Sequence, residues 1–180
     1  MERTFDMYAV RDWRPEDATA VARYANNRRI WLNLRDAFPH PYTHRDAEAF
    51  IQGVMGMNPP TVFAIAHGDE AIGSIGLVPG RDVHRFTAEL GYWLAEPFWG
   101  RGIATEAVRI VTAHALEELG MVRVFAEPYT TNPASARVLE KAGFLREGIL
   151  RAAAFKDGRI MDQYLYAFVV RGKVEGENHL

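Results

Sequence analysis

One stretch in the middle of the chain constrains the fold most. It is a strand-like segment that runs through a turn into a long helix. Residues 86–94 are rich in aromatic and aliphatic side chains and contain no proline, which predicts a β-strand. Pro97 and Gly100 interrupt this pattern. Beyond them, small and aliphatic residues recur at helical spacing as far as Gly120, where the helix is predicted to end.

The start of this helix is made of residues with little or no side chain, namely Gly100, Gly102 and Ala104. The first four N–H groups of a helix lack an intrahelical partner and carry the positive end of the helix dipole. Small residues let an anion approach these groups closely, which predicts a phosphate or pyrophosphate site. The spacing equally fits glycines that only form a tight strand-to-helix turn.

A second strand is predicted at residues 122–126, so that strand, helix and strand form a βαβ unit with parallel strands. The whole chain is predicted in the order β-α-α-β-β-β-α-β-α-β-β. This order predicts one α/β domain, a mixed sheet with helices on both faces. The predicted strands are residues 8–14, 61–66, 71–78, 86–94, 122–126, 144–150 and 160–170, and the helices begin near Pro15, Thr43, Gly102 and Asn132.

Length and composition narrow the class of protein. The chain has 180 residues, a net charge of −2 and no cysteine, which predicts one globular domain without disulfides or an electrostatic affinity for nucleic acid. No signal peptide and no apolar run of about 18 residues is evident, so we expect no membrane association and a cytoplasmic location. The six histidines show no ligand spacing, and no metal is expected. Residues 172–180 are predicted to be a polar tail.

Three ordered motifs carry a resemblance to a known family. They are Trp99-Gly-Arg-Gly-Ile-Ala104, Glu89-Leu-Gly-Tyr-Trp-Leu94 and the segment 132–144. Together they resemble the GNAT N-acetyltransferases of the RimJ/RimL type, which acetylate the N-termini of ribosomal proteins. The resemblance implies a GNAT-like domain over residues 1–171, with a mostly antiparallel mixed sheet and a splayed parallel strand pair. It also implies acetyl-CoA as co-substrate, bound in the gap between residues 89–94 and 122–127.

The resemblance assigns the pyrophosphate of acetyl-CoA to the glycine-containing turn and the pantetheine arm to the strand before it. Asn132 is implied to contact the CoA arm, although an asparagine before Pro133 is also a good helix N-cap. Arg137 and Lys141 are predicted either to meet the 3′-phosphate of CoA or to face water. The predicted cofactor-binding residues are Tyr92, Trp93, Leu94, Gly100, Arg101, Gly102, Ile103, Ala104, Thr105, Asn132, Ser135 and Arg137.

The resemblance also assigns catalytic roles. Glu89 is the predicted general base, acting through a water, although a glutamate on a strand is often merely solvated. Main-chain N–H groups of residues 91–93 are implied to polarise the thioester oxygen, near a bulge at Gly91. The tyrosine that many relatives use as general acid is replaced here by Leu139. Ser135 is the predicted substitute, as proton donor or as a hydrogen-bond partner of the cofactor, and Tyr129 is a second candidate.

The acceptor is predicted to be a primary amine, with the α-amine of a protein or peptide N-terminus preferred. At pH 7.4 roughly a quarter of such α-amines are neutral, whereas only about one lysine side chain in a thousand is neutral. This difference in the reactive population corresponds to a free energy of about 3 kcal/mol. Residues 30–41 are predicted to form either a flap on the acceptor side or a packed connection, and the predicted acceptor-binding residues are Trp31, Phe38 and Tyr42. Two alternatives stay open: a small-molecule acceptor, such as a polyamine, aminoglycoside or amino acid, and a non-catalytic acyl-CoA sensor. The family also allows a homodimer.

Overall fold

A computed structural model describes residues 1–170, and the predicted polar tail at residues 172–180 lies outside the described residues. Within them, eight strands form a single sheet in the order β1-β2-β3-β4-β5-β6-β8-β7. Only β5 and β6 are parallel neighbours, and the other neighbours are antiparallel. The strands are β1 Glu2–Phe5, β2 Tyr8–Arg11, β3 Val62–His67, β4 Glu70–Pro79, β5 Thr87–Leu94, β6 Arg123–Ala126, β7 Leu145–Lys156 and β8 Arg159–Val169.

Helices cover both faces of this sheet, as predicted. They are α1 Ala18–Ala25, α2 Arg28–Trp31, α3 His44–Met55, α4 Ile103–Glu117 and α5 Pro133–Lys141. Neighbouring residues of β3 show the two faces, because successive strand side chains point in opposite directions. Phe63 packs in the core beneath α4, whereas Ala64 packs in the core beneath α1 and α3. No helix within residues 1–170 is both long enough and apolar enough to span a bilayer.

Local sequence signals explain where the helices of the site begin. Thr43 and Asp46 form the predicted capping box: Thr43 accepts from the N–H of Asp46, and Asp46 accepts from the N–H of Thr43. Asn132 caps α5, with its side-chain oxygen 3.1 Å from the main-chain nitrogen of Ser135. These caps fix the helix starts that face the middle of the sheet.

The parallel pair in that middle is short. Thr87, Ala88 and Glu89 of β5 pair with Arg123, Val124 and Phe125 of β6. After Glu89 the strands separate, while β5 continues to pair with β4 as far as Leu94. The predicted splay is therefore present, and it leaves one side of β5 beyond Glu89 without a neighbouring strand.

The strand prediction differs from the structure at three places. A hairpin strand, β1, precedes the predicted first strand, and the latter ends at Arg11 rather than at residue 14. β7 continues past residue 150 to Lys156 through a register shift between Leu150 and Ala154. The predicted bulge at Gly91 is wrong, because the β4–β5 register runs unbroken through the Gly76–Gly91 pair. Gly91 is an exposed position in a regular strand.

Candidate active site

The gap between β5 and β6 opens into a cavity of about 1360 Å³. This volume exceeds the roughly 300–1,000 Å³ of an ordinary small-ligand pocket, so the cavity has room for two reacting molecules. Its walls include β5 and part of β4, the turn before α4, the first turns of α5, residues 126–129, part of α3, and residues 30–41, which we call the flap. The cavity thus joins the predicted cofactor side to the predicted acceptor side.

The turn before α4 has the geometry of an anion site. Gly100 and Gly102 have φ angles of +76° and +79°, in the left-handed region that favours glycine. Gly102 is the N-cap of α4, and a Cβ built on it would meet no atom within 4 Å, so the space above it is open. The first intrahelical hydrogen bond of α4 runs from the N–H of Glu106 to Gly102 O, at 3.1 Å. The N–H groups of residues 103–105 therefore lack intrahelical acceptors.

The first turn of α5 faces this site from the other wall and is tied to β5. The Tyr92 hydroxyl and Ser135 Oγ lie 2.8 Å apart, and the hydroxyl also lies 3.3 Å from Ser135 O. This hydrogen bond joins the two sides of the gap. Burial raises the pKa of Tyr92 to about 12, although the Ser135 hydrogen bond lowers it, so the phenol is neutral at physiological pH.

The main-chain N–H and C=O groups of successive β5 residues point alternately toward β4 and toward β6. Ala95 N–H donates to Ile72 O and Gly80 N–H donates to Thr87 O, so odd-numbered residues of β5 direct their main-chain groups toward β4. Tyr92 and Leu94 therefore direct theirs into the gap. Of the predicted oxyanion donors at 91–93, only the Tyr92 N–H faces the cavity. Leu94 O already accepts from Trp99 Nε1 at 2.6 Å.

Glu89 lies where the two strands part, and its side chain is 23% exposed. It forms an ion pair with Arg35, an exposed residue of the flap. Glu127, just beyond β6, lines the same cavity. Burial and then the charge of Glu89 raise the pKa of Glu127, while Arg35 lowers it. Neither Arg35 nor Glu127 was predicted as a site residue, because only the fold brings them to Glu89.

The raised pKa of Glu127 has a consequence for stability. The folded protein holds this proton more tightly than the unfolded chain, and that stabilisation is lost as pH rises through the folded-state pKa. We expect Glu127→Gln to unfold at a higher temperature than the parent near neutral pH, and the difference to shrink near about pH 4. Thermal unfolding at both pH values tests this.

Glu147→Gln is the matched control with the opposite sign. The hydrogen bonds from Arg123, at 2.8 and 2.5 Å, lower the pKa of Glu147. Its stabilisation is present above the pKa of the unfolded chain and lost as pH falls, so Glu147→Gln lowers the unfolding temperature at neutral pH. If both variants shift the unfolding temperature the same way, the burial of the Glu127 carboxylate and its repulsion by Glu89 are not the cause.

Leu139, at the position where many relatives have a tyrosine, does not reach the cavity. Its side chain is fully buried in the core, on the side of α5 that faces away from the cavity. The cavity-facing residues of α5 are instead Ala134, Ser135, Arg137, Val138 and Lys141. A phenol at position 139 would thus enter the core, whereas Tyr92 brings one to Ser135 from β5. Tyr129, the second candidate, is buried and lines the cavity.

The predicted acceptor residues do not all lie on the cavity. Phe38 and Tyr42 line it and pack on each other with ring centroids 4.8 Å apart. Trp31 does not line the cavity. Its ring stacks on that of His40, with centroids 5.6 Å apart, and the ammonium of Lys156 lies over its face. The structure thus brings two of the three together on the cavity and places the Trp31 ring of the flap outside it, against Lys156.

The predicted cofactor residues lie together on the cavity wall, from Tyr92 to Leu94, from Gly100 to Thr105, and at Asn132, Ser135 and Arg137. Arg101 bends back to Pro97 O at 2.9 Å, while Arg137 and Lys141 have no carboxylate partner within residues 1–170. No group of three histidine, aspartate or glutamate side chains in this part of the chain could hold a metal ion.

Comparison with known sequences identifies proteins that this chain resembles. A sequence model described as "Acetyltransferase (GNAT) domain" matches residues 9–145. The N-acetyltransferase YoaA of Bacillus subtilis is 37% identical over 100 residues, 56% of each chain. The ribosomal-protein-serine acetyltransferase of Escherichia coli is 33% identical over 109 residues, which are 61% of this chain and 60% of the relative. This chain therefore spans little more than half the length of these curated relatives.

Among solved structures, the ribosomal L7/L12 α-N-protein acetyltransferase RimL in complex with coenzyme A superposes with a TM-score of 0.82. The alignment covers 93% of this chain and 97% of RimL at 20% identity. At this identity the likeness concerns the fold, which extends over nearly the whole of both chains.

Proposed function

The chain belongs to the GNAT acetyltransferase family, and from this premise we propose that it transfers the acetyl group of acetyl-CoA to a primary amine. The observation that carries the proposal is the single cavity between β5 and β6. It leads from the open helix start at Gly102, past Tyr92 and Ser135, to the carboxylate of Glu89. An anion-binding end and a proton-accepting end within one cavity are what this transfer requires.

The residues of the anion-binding end fit acetyl-CoA. The unpartnered N–H groups of residues 103–105 suit its pyrophosphate, and the side of β5 without a strand neighbour suits its pantetheine amides. Arg137 and Lys141 suit its 3′-phosphate, since both line the cavity without a carboxylate partner in the described chain. Asn132 is already the N-cap of α5, so it offers the cofactor its remaining amide N–H groups.

The residues at the other end divide the work of the transfer. In the transfer, the amine nitrogen would form a bond to the thioester carbonyl carbon of acetyl-CoA, and the carbon–sulfur bond would break to release CoA. Glu89 accepts the proton that the attacking amine gives up, directly or through a water. The Tyr92 N–H faces the gap and donates to the carbonyl oxygen. With the Tyr92 phenol donating to Ser135 Oγ, the Ser135 hydroxyl donates toward the departing sulfur.

We infer that the acceptor is the α-amine of a protein or peptide N-terminus. The names of the Escherichia coli relative and of RimL support this, because both are protein acetyltransferases. The cavity supports it too. Within the described chain three carboxylates line it, Glu89, Glu127 and Asp46, and Asp46 is already bonded to Thr43 in the capping box of α3. Apolar residues such as Phe38, Phe50 and Val62 line the acceptor side beside them. A polyamine or aminoglycoside carries several cations and needs more carboxylates than this.

The proposal is tested first by ligand-dependent stability and then by turnover. Acetyl-CoA at 100 times its Kd stabilises a protein by about 2.7 kcal/mol, which raises the unfolding temperature by several degrees. The same protein is then incubated with acetyl-CoA and three acceptors: a hexapeptide with a free N-terminal serine, an N-acetylated lysine peptide, and spermidine. Stabilisation without transfer to any acceptor would favour the acyl-CoA sensor, and no stabilisation at millimolar ligand would refute the cofactor site.

The Tyr92–Ser135 hydrogen bond makes a separate prediction. We expect Ser135→Ala to lower kcat about 10²-fold, and Tyr92→Phe to lower it less, about tenfold, because phenylalanine only removes the group that orients the serine. The double variant is expected to be no slower than Ser135→Ala, since the two hydroxyls act as a unit. Steady-state kinetics of the three variants measures this, and additive losses would show that the hydroxyls act independently.

A further inference from the structure

Lys156 is a buried charge that the proposed chemistry does not use. It ends β7 at the tip of the β7–β8 hairpin and is only 2% exposed. Its ammonium lies 2.8 Å from Asp36 Oδ1 and 3.8 Å from the centroid of the Trp31 ring. Desolvating an ammonium is costly unless it is paired, so the location of Lys156 depends on both partners.

Both partners belong to the flap. A further ion pair lies beside this contact, because Arg28, two residues before the flap, lies 2.7 Å from Asp157 of the hairpin turn. The hairpin tip and the flap are about 120 residues apart in sequence, as Lys156 and Asp36 show. The tip of the hairpin therefore holds the flap in its position from outside the cavity.

The flap in turn reaches the proposed general base. Asp36 follows Arg35, which forms the ion pair with Glu89, and residues 30 and 32–35 line the cavity. A shift of Asp36 would move Arg35 and the apolar flap residues around the acceptor. The chain of contacts runs from Lys156 through Asp36 to Arg35 and Glu89.

We propose that Lys156 is a positioning residue that holds the flap in the conformation that binds the acceptor amine. The proposal rests on the acetyltransferase function proposed above, because it concerns the acceptor half of that site. Lys156 lies outside the cavity lining, so it would not touch acetyl-CoA bound in the cavity. Its loss should change acceptor binding and leave cofactor binding intact.

The first experiment needs no activity. Hydrogen–deuterium exchange of the whole protein is measured for the parent, Lys156→Met, Asp36→Asn and the control Arg159→Met. Arg159 is an exposed cation of the same hairpin, and its side chain makes no hydrogen bond or ion pair in the described part of the chain. We expect the amides of residues 30–41 to exchange about tenfold faster in the first two variants and unchanged in the control.

Asp36→Asn keeps the test valid if Lys156→Met disturbs the hairpin itself. The side chain of Asp36 is 68% exposed, so the substitution removes the partner of Lys156 without changing the core. Parent-like exchange of the flap in both variants would overturn the proposal, whatever the enzyme acetylates. Faster exchange spread over the whole sheet in both variants would also overturn it, because the contact would then stabilise the fold at large.

The second experiment separates positioning from general stability by kinetics. With the serine hexapeptide as acceptor, Lys156→Met and Asp36→Asn are expected to raise the peptide KM about tenfold and to leave the acetyl-CoA KM within about twofold. Arg159→Met should change neither constant. A faster-exchanging flap together with an unchanged peptide KM would contradict the role in acceptor binding. Absence of transfer by the parent itself would instead count against the proposed function.

Discussion

Replacing Glu89 by glutamine is expected to lower kcat by about 10²- to 10³-fold, which is the range for loss of a general base. Glutamine keeps the size of the side chain and its place at the end of the β5–β6 pairing, but it cannot accept a proton. The acetyl-CoA KM should stay near that of the parent, because the cofactor end of the cavity is unchanged. Steady-state kinetics over a range of pH measures both effects.

Arg35→Leu is the matched control, since it removes the same ion pair and leaves the carboxylate in place. We expect it to change the acceptor KM more than kcat, because Arg35 belongs to the flap. An equal loss of kcat in Arg35→Leu and Glu89→Gln would mean that the ion pair, rather than the base, matters. An unchanged pH–rate profile of Glu89→Gln would remove Glu89 from the proton transfer.

The second large effect is expected at Gly102. Gly102→Val should weaken acetyl-CoA binding about 100-fold, because a branched side chain at the N-cap of α4 blocks the approach of phosphate to the helix N–H groups. It should also cost about 1–3 kcal/mol of stability, since a β-branched residue is strained at a φ of +79°. Calorimetric titration measures the first effect and denaturant unfolding the second.

Gly120→Val separates strain from blocked binding. Gly120 lies just beyond the opposite end of the same helix, has a φ of +67°, and also offers open space to a side chain. We expect a similar loss of stability and no loss of acetyl-CoA binding. Equal weakening in both variants would show that binding responds to the strain of α4 and that its N-terminus is not the anion site.

The elements that contain their own signals were predictable from sequence. The periodicity of α4, the caps at Thr43 and Asn132, and the glycines of the turn are local features, and each element formed where it was predicted. The splay of β5 and β6 was expected only from the family resemblance. Spacing alone gives a parallel pair but does not say where two strands part.

The missed elements lack such signals. β1, Glu2–Phe5, is a short, mostly exposed edge strand with two charged residues, and it gains its hydrogen bonds only by pairing with β2. The second half of β7 contains three successive alanines, which have low strand propensity, and Ala152 has a φ of +52°. The register shift between Leu150 and Ala154 accommodates this stretch, and pairing with β8 resumes at Ala154.

Some residues of the candidate site were likewise predictable from sequence, and others were not. Glu89, Gly102 and Ser135 lie in recognisable motifs, and the structure places them on one cavity. Arg35 and Lys156 become relevant only through partners that are 54 and 120 residues away in sequence. Trp31 was misplaced because a large aromatic residue in an aperiodic segment does not reveal which side of the segment it faces.

The short junction between β5 and β6 has a consequence for the lifetime of the protein. Within residues 1–170, the five-strand and three-strand parts of the sheet are joined by three β5–β6 residue pairs and by the N–H groups of residues 122 and 123, which donate to Phe86 O. A molecule bound in the gap would contact both parts of the sheet, as an additional strand would. Its binding would end if the two parts separated, so binding would oppose their separation. We therefore expect the C-terminal part to open locally in the absence of acetyl-CoA and to become resistant to proteases in its presence. The supply of the co-substrate would then set how much of the enzyme survives, as well as how fast it works.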